Sequence, residues 1–239
     1  MRPQLLPWPA GPQQQAAAAL TAYGSGRGSE HAALTALASS RLLVPVTATV
    51  SGIVRERGSA REGGGAGHVR ADGGDRGAEM SVPTLIGRDG RPAVPVFTCL
   101  DALARWRPEA RPVPAAAGQV WRAAVDDSCA VVVDVAGPVP LAIDGARLAA
   151  LADGQPVPLP HQDPDVLTAV RAAAAQHPSI AGLAVASGDP GSDLQVQVTI
   201  AVGGTPGTAS EVIRLLGTEV MARLGGRLRR GIAVAVVPR

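Results

Sequence analysis

The chain has 239 residues, a mass of 24.1 kDa, 46% hydrophobic and 18% charged residues and a formal net charge of +2, which are the values of a globular protein. Aromatic residues are 2% of the total, too few to lay successive bases on clustered rings, and 22 basic residues against 20 acids are too evenly balanced for a duplex-binding footprint. All the basic residues are arginine; without lysine there is no Schiff base, no pyridoxal-phosphate anchor and no P-loop lysine.

Residues 1–29 are rich in Pro, Gln, Ala, Gly and Ser, and their composition predicts a flexible tail with a nascent helix at Ala16–Ala19. From Glu30 the apolar spacing of Ala33, Leu34, Leu37 and Ala38 predicts a short helix. A strand follows over Arg41–Val50, with Pro45 either at a sheet edge or facing away from the ladder. Residues 55–79 mix glycines with balanced charges and read as a disordered loop between strands. Its Gly63–His68 run lacks the Lys-Ser/Thr and the strand-to-helix setting of a phosphate loop.

Met80–Ile86 and Val94–Thr98 read as a hairpin turned at Asp89–Gly90. Thr98 or Asp101 can cap a helix over Leu100–Trp106, which Pro108 stops. A loop through Pro112 and Pro114 leads to a helix at about Ala117–Val125. Then come a central strand at Cys129–Val135, a strand at Val139–Ile143 and a helix at Gly145–Ala152. This first unit, residues 30–154, is expected to be an α+β sandwich with a mixed sheet and helices.

Residues 155–162 space prolines as an extended linker. The second unit, 163–239, opens on Asp163–Pro164, an N-cap followed by proline at the first helical position. Val166, Leu167, Val170, Ala173 and Ala174 form its helical stripe, and Ile180–Ala186 is a strand. Leu194, Val196, Val198, Ile200 and Val202 alternate with polar or small residues, marking a strand with one open face that carries Gln195, Gln197 and Thr199. Thr208 and Glu211 have capping-box spacing before a helix on Val212, Leu216, Val220 and Leu224 that Gly225–Gly226 ends. Ile232, Val234 and Val236 give a last strand. The order αββαβ predicts a small open-faced sandwich with both helices on one side.

Several pieces recur together in a known order: Arg41-Leu42-Leu43-Val44-Pro45-Val46, Val82-Pro83-Thr84-Leu85, Asp89-Gly90-Arg91 and Pro95-Val96-Phe97-Thr98. Ala102-Leu103-Ala104-Arg105-Trp106 follows, running through Pro108-Glu109-Ala110-Arg111-Pro112-Val113-Pro114, and then Ala136-Gly137-Pro138. The series resembles the actinobacterial branch of the SseB-like family, the enhanced-serine-sensitivity proteins, over about residues 30 to 152. The second unit agrees in pattern with that family's carboxy-terminal region. The resemblance implies a cytoplasmic α+β protein in two parts. It brings no catalytic residues, because the name records a phenotype and not a reaction.

Cys99 and Cys129 make no metal or redox spacing with each other or with the four histidines, and read as buried cytosolic thiols. Pro and Gln break the first fifteen residues where a signal peptide needs an apolar core, and no run reaches the ~20 apolar residues of a membrane span. No residue pattern calls for a cofactor. Asp126–Asp127 point about 100° apart on a helix and read as a solvated turn. G-x-S-x-G is absent.

The leading candidate site is Arg105, Trp106 and Arg107 with Glu109 and Arg111, because Trp and Arg carry most partner-binding energy. The competing reading places Trp106 in the core and pairs the arginines with Glu109 and the helix end. Arg223, Arg227, Arg229 and Arg230 are weaker candidates for phosphate or another anion, as is the Gly203–Gly207 loop. These features favour a non-enzymatic interaction or regulatory module with an unknown protein partner. Both units also have faces that can pair with a second copy. A small-ligand protein or enzyme linked to serine metabolism, and a ribosome- or RNA-associated factor, are the alternatives.

Overall fold

A computed structural model describes residues 11–49, 79–201, 206–224 and 226–237. Residues 1–10 of the expected tail, residues 55–78 of the expected 55–79 loop, part of the Gly203–Gly207 loop and Gly225 lie outside the described residues.

The first helix, α1 (Pro12–Gly24), corrects the expectation of a flexible tail. Ala16, Leu20 and Tyr23 recur at steps of four and three, and all three side chains are buried in the main core. Proline at the start of α1 fits a helix, because the amide it lacks has no intrahelical partner there. The helix packs on α2 (Glu30–Ala38), whose N-cap Ser29 accepts a hydrogen bond from the Ala32 amide and whose Ala33, Leu34 and Leu37 are buried.

Strand β1 (Arg41–Thr49) is the centre of a three-stranded sheet, between β2 (Glu79–Ser81) and β5 (Arg111–Ala116), both antiparallel to it. Pro45 is opposed to Pro112. Neither has an N–H, so this must be a non-hydrogen-bonded pair, and the ladder loses nothing at either position. Prolines were the reason to read residues 111–116 as a loop; at Pro112 and Pro114 they stand on an edge strand.

Strands β3 (Leu85–Ile86), β4 (Pro92–Val96), β6 (Ala130–Val133) and β7 (Leu141–Ile143) form a mixed sheet in the order β3-β4-β6-β7. The hairpin is confined to Leu85–Ile86 against Pro92–Ala93, since Glu79–Ser81 pairs with β1. Gly90 takes φ +79 in its turn, a region that favours glycine. The parallel β4–β6 pair puts β6 between two strands, the place expected for a run apolar on both faces. Reciprocal Leu43–Phe97 backbone hydrogen bonds of 2.8 and 2.9 Å join the two sheets.

Helices α4 (Ala117–Asp126) and α5 (Gly145–Ala152) complete the main core with Trp121, Val120, Leu148 and Leu151. Helix α3 (Leu100–Trp106) has Cys99 at its N-cap and no side-chain cap, so neither Thr98 nor Asp101 caps it: Thr98 precedes the cap and is turned to Asp134, and Asp101 lies in the first turn. The Asp134 carboxylate accepts from the Thr98 amide at 2.8 Å and the Thr98 hydroxyl at 2.6 Å. Cys99 is exposed and Cys129 half-buried, which corrects the expectation of two buried thiols.

The apolar cluster of the first unit extends to Val157 in the proline-spaced segment, and another begins at Val166. In this second part α6 (Pro164–Ala174) and α7 (Pro206–Leu224) cover one face of β8 (Ile180–Ser187), β9 (Leu194–Ile200) and β10 (Ile232–Val236). The sheet order is β10-β9-β8, with β9 and β10 parallel across α7. Val166, Val170, Leu216, Val220 and Leu224 meet Leu194, Val196 and Val198. Asp163 caps α6 as predicted, accepting from the Asp165 amide at 2.8 Å. Helix α7 begins at Pro206, upstream of Thr208, so Thr208 is not its N-cap. The fold is α+β throughout. Among the described residues no helix is long and apolar enough to cross a membrane.

Replacing Leu20 with Ala should lower the unfolding free energy by about 2–5 kcal/mol in urea titration; a loss below about 0.5 kcal/mol would show that α1 does not dock. Burial raises the Asp134 pKa against the opposing Thr98 hydrogen bonds, so the folded state holds this proton more tightly than the unfolded chain. Its contribution to stability therefore falls as pH rises from the ordinary carboxylate range through the raised pKa. Asp134 also sits at φ +49, a region that Asn tolerates better than most other residues with a side chain. Asp134→Asn should gain stability relative to wild type as pH rises through that window, whereas Asp134→Ala should cost about 2–3 kcal/mol at pH 7. Parallel unfolding curves for wild type and the Asn variant from pH 4 to 7 would contradict this.

Candidate functional site

The leading sequence candidate lies at the end of α3. Phe97 is fully buried under Leu43, Leu103 and Ala110, and the Trp106 ring lies 5.4 Å from it at an interplanar angle of 35°. Trp106 is half-buried, so one part of the indole seals this small cluster and the rest meets solvent. The Arg107 guanidinium stands 4.8 Å from the indole centroid. Arg105, Glu109 and Arg111 are exposed, Arg111 opposite Val46 at the start of β5. Among the described residues none of Arg105, Arg107 and Arg111 forms an ion pair, and Glu109 does not engage them. The structure thus brings Trp106 and Arg107 into contact and, among the described residues, gives the surrounding arginines no carboxylate partner.

The carboxy-terminal arginines divide. Arg230 is held by Asp193, with contacts of 2.8 and 2.7 Å. Arg227 donates to Asp163 at 2.5 Å and to Glu30 at 3.4 Å. Arg229 lies over the Tyr23 ring at 5.1 Å, and Arg223 is exposed; neither has a carboxylate partner among the described residues. Asp126 and Asp127 are exposed, at the end of α4 and in its C-cap. His177 faces Glu219 at 3.6 Å. Gln195, Gln197 and Thr199 are half-buried on the sheet face away from α6 and α7, flanked by Ala184, Ala186, Ala233 and Ala235.

A second site gathers Arg223, Arg227 and Arg229, three of the four arginines expected to meet an anion, with residues that sequence reasoning did not place beside them. A cleft of about 540 Å³ opens where the two parts meet, and its floor is a chain of alternating charges. Arg147, at the start of α5, donates to Glu30 on α2 and to Asp144 at 2.5 Å. Glu30 also faces Arg227, which reaches Asp163 at the cap of α6. Toward solvent Asp144 pairs with Arg91 at 2.9 Å. Tyr23 adds a bond from its hydroxyl to the Gly226 and Arg227 carbonyls at 3.3 and 3.2 Å. Asp165 of α6 accepts from the Ala146 amide at 2.9 Å, so a carboxylate from the second part caps the helix of the first. Gly145 makes that approach feasible: its φ is +55, and a Cβ there would stand 2.2 Å from the Asp165 carboxylate.

Burial pushes the Glu30 carboxyl up, while Arg147 and Arg227 pull it down. Burial lowers Arg227, yet Glu30 and Asp163 outweigh it and hold the guanidinium charged. These directions oppose one another on one contact. The ionised pair is favoured, because a neutral Glu30 would leave the buried Arg147 and half-buried Arg227 guanidiniums with one carboxylate fewer between them. Burial also disfavours ionised Asp144, but Arg147 and Arg91 reverse that and keep its pKa low. The signal for this network was an arginine at position 147 beside Leu148 on the buried side of an otherwise apolar helix.

Glu30→Ala should destabilise the protein by about 1.5–3 kcal/mol in chemical unfolding, because it removes the carboxylate that Arg147 and Arg227 share and leaves each with only its second partner, Asp144 or Asp163. A change of less than about 1 kcal/mol would mean that the ion chain does not hold the two parts together.

Among the described residues no group of His, Cys, Asp and Glu is arranged to hold a metal ion. No curated protein and no solved structure matches the chain. A family model described as the SseB protein N-terminal domain matches residues 16–150, a span that takes in most of α1 and all of the elements through β7, with nearly all of α5. The match covers more than half of the 239 residues and reaches back into the helix that composition had assigned to a tail, so the chain belongs to the SseB family.

Proposed function

We propose that the protein is a non-enzymatic cytoplasmic interaction module that captures a protein partner through the Trp106 and Arg107 surface, with Arg105 and Arg111 beside it. The observation that carries this reading is the stack of Arg107 on a half-buried Trp106 next to guanidiniums that no carboxylate of the described residues neutralises. A guanidinium resting over an indole loses little freedom when it binds, and its donors remain available to a carboxylate. The partner that fits is an acidic segment with an apolar side chain to lay on the exposed part of the indole. Edge strand β5 contributes little to main-chain pairing, since Pro112 and Pro114 have no N–H to offer an added strand.

Trp106 also packs on Phe97, so truncating it would disturb the cluster beneath and confuse binding with folding. Charge reversal at the exposed arginines is the cleaner test. Arg105→Glu/Arg107→Glu should keep the wild-type unfolding midpoint and lose a nuclease-resistant partner in affinity copurification from the native cytoplasm. Capture that is unchanged by the double substitution would overturn the site.

A further inference from the structure

We infer that the cleft between the two parts binds a small organic dianion, a phosphate ester or a dicarboxylate, with Arg223 and Arg229 as its principal ligands and Arg91 on the opposite part. The charge on the lining is unequal: five arginines face it against Glu30, Asp144 and Asp165. The three carboxylates are all engaged, Glu30 by Arg147 and Arg227, Asp144 by Arg147 and Arg91, and Asp165 by the Ala146 amide. Asp89 and Asp163, just outside the lining, pair with Arg91 and Arg227, so the positive charge that has no carboxylate partner among the described residues is that of Arg223 and Arg229.

Both are exposed, as is Arg91, whose side chain remains 63% accessible although it touches Asp89 and Asp144. The carbonyls of Gly226 and Arg227 beyond α7, which could have drawn these guanidiniums inward, already accept the Tyr23 hydroxyl. Tyr23 in turn is the face on which Arg229 lies, which limits the freedom of that guanidinium before any ligand arrives.

The volume, about 540 Å³, exceeds what an inorganic anion fills, and Val132, Leu141 and Ala169 give the same cleft an apolar wall for a carbon skeleton. Guanidiniums recognise phosphomonoesters and carboxylates through the same paired donors, so the two share one site chemistry. A dianion here would join arginines from both parts and favour the arrangement in which α5 and α6 are in contact. This site shares no residue with the Trp106 surface and stands or falls independently of it.

Glycerol 3-phosphate and succinate titrated into the full chain at constant ionic strength, with heat as the readout, test the inference. Saturable binding of at least one of them is expected, weakened at least about tenfold by Arg223→Ser/Arg229→Ser and unchanged by Arg105→Glu/Arg107→Glu. Because Arg229 rests on Tyr23, Arg223→Ser alone serves as the second variant, with a smaller loss expected. Binding of the phosphate ester alone assigns a phosphorylated ligand, binding of succinate alone a dicarboxylate, and binding of both a general dianion site. No saturable heat below about 10 mM of either probe, or equal affinity in wild type and both arginine variants, would overturn the inference.

Discussion

The contact of Glu30 with Arg147 and Arg227 is the constraint on which the rest of this structure rests. It ties the first residue of α2, the first turn of α5 and the segment after α7 to one another. Each of those guanidiniums has a further carboxylate, so the charges alternate from Asp144 through to Asp163 and none is left buried alone. Such a chain adds less stability than apolar packing of equal volume would. What it adds is geometry, because a guanidinium and a carboxylate meet favourably in few orientations and the loss of either is costly. The relative placement of the two apolar clusters therefore follows from a polar contact, with Asp165 capping α5 across the same boundary.

That constraint also shapes the cleft. Alternation consumes the carboxylates on its floor, and arginines outnumber them on its lining, so the rim keeps positive charge. In a chain without lysine, arginine has to serve as structural clasp, helix-end cation and surface cation alike. Among the described residues Arg147, Arg227 and Arg230 are clasps, and Arg105, Arg107, Arg111, Arg223 and Arg229 have no carboxylate partner. Only the acids that happen to face them separate the two groups. The two surfaces proposed for function are built from the second.

Membership in the SseB family identifies the first part of the chain and leaves the chemistry of these surfaces to be read from their geometry. Trp106 serves both roles weighed for it, since it closes a small core cluster over Phe97 and still presents part of its ring with Arg107 upon it. The pairing of Glu109 with neighbouring arginines, which would have made the segment purely structural, does not occur. Asp134 illustrates the same economy in the interior, where a carboxylate at a strand end takes both donors of Thr98, the residue before the Cys99 N-cap of α3.

Local signals were legible wherever a residue's role depends on its near neighbours. The α3 and α5 boundaries, the Asp163–Pro164 start of α6, the alternation along β9 and the Asp89–Gly90 turn all follow from capping, proline sterics or side-chain period, and sequence alone determined them. Helix α1 was obscured because three apolar residues in a stretch of Pro, Gln and Ala look too few to bury, though Ala16, Leu20 and Tyr23 had helical spacing. Strand β5 was obscured because proline is permitted only where the ladder needs no amide, and that depends on which strand lies opposite. The Arg105–Arg111 segment was visible by composition, but whether its arginines are free depended on where the acids fall. For the cleft, Tyr23, Glu30, Arg91, Arg147 and Arg223 come from five separate stretches, and only tertiary structure decided that they meet. Charge pairing acts through space at distances of a few ångströms, and linear order does not record which of 22 arginines will find a carboxylate.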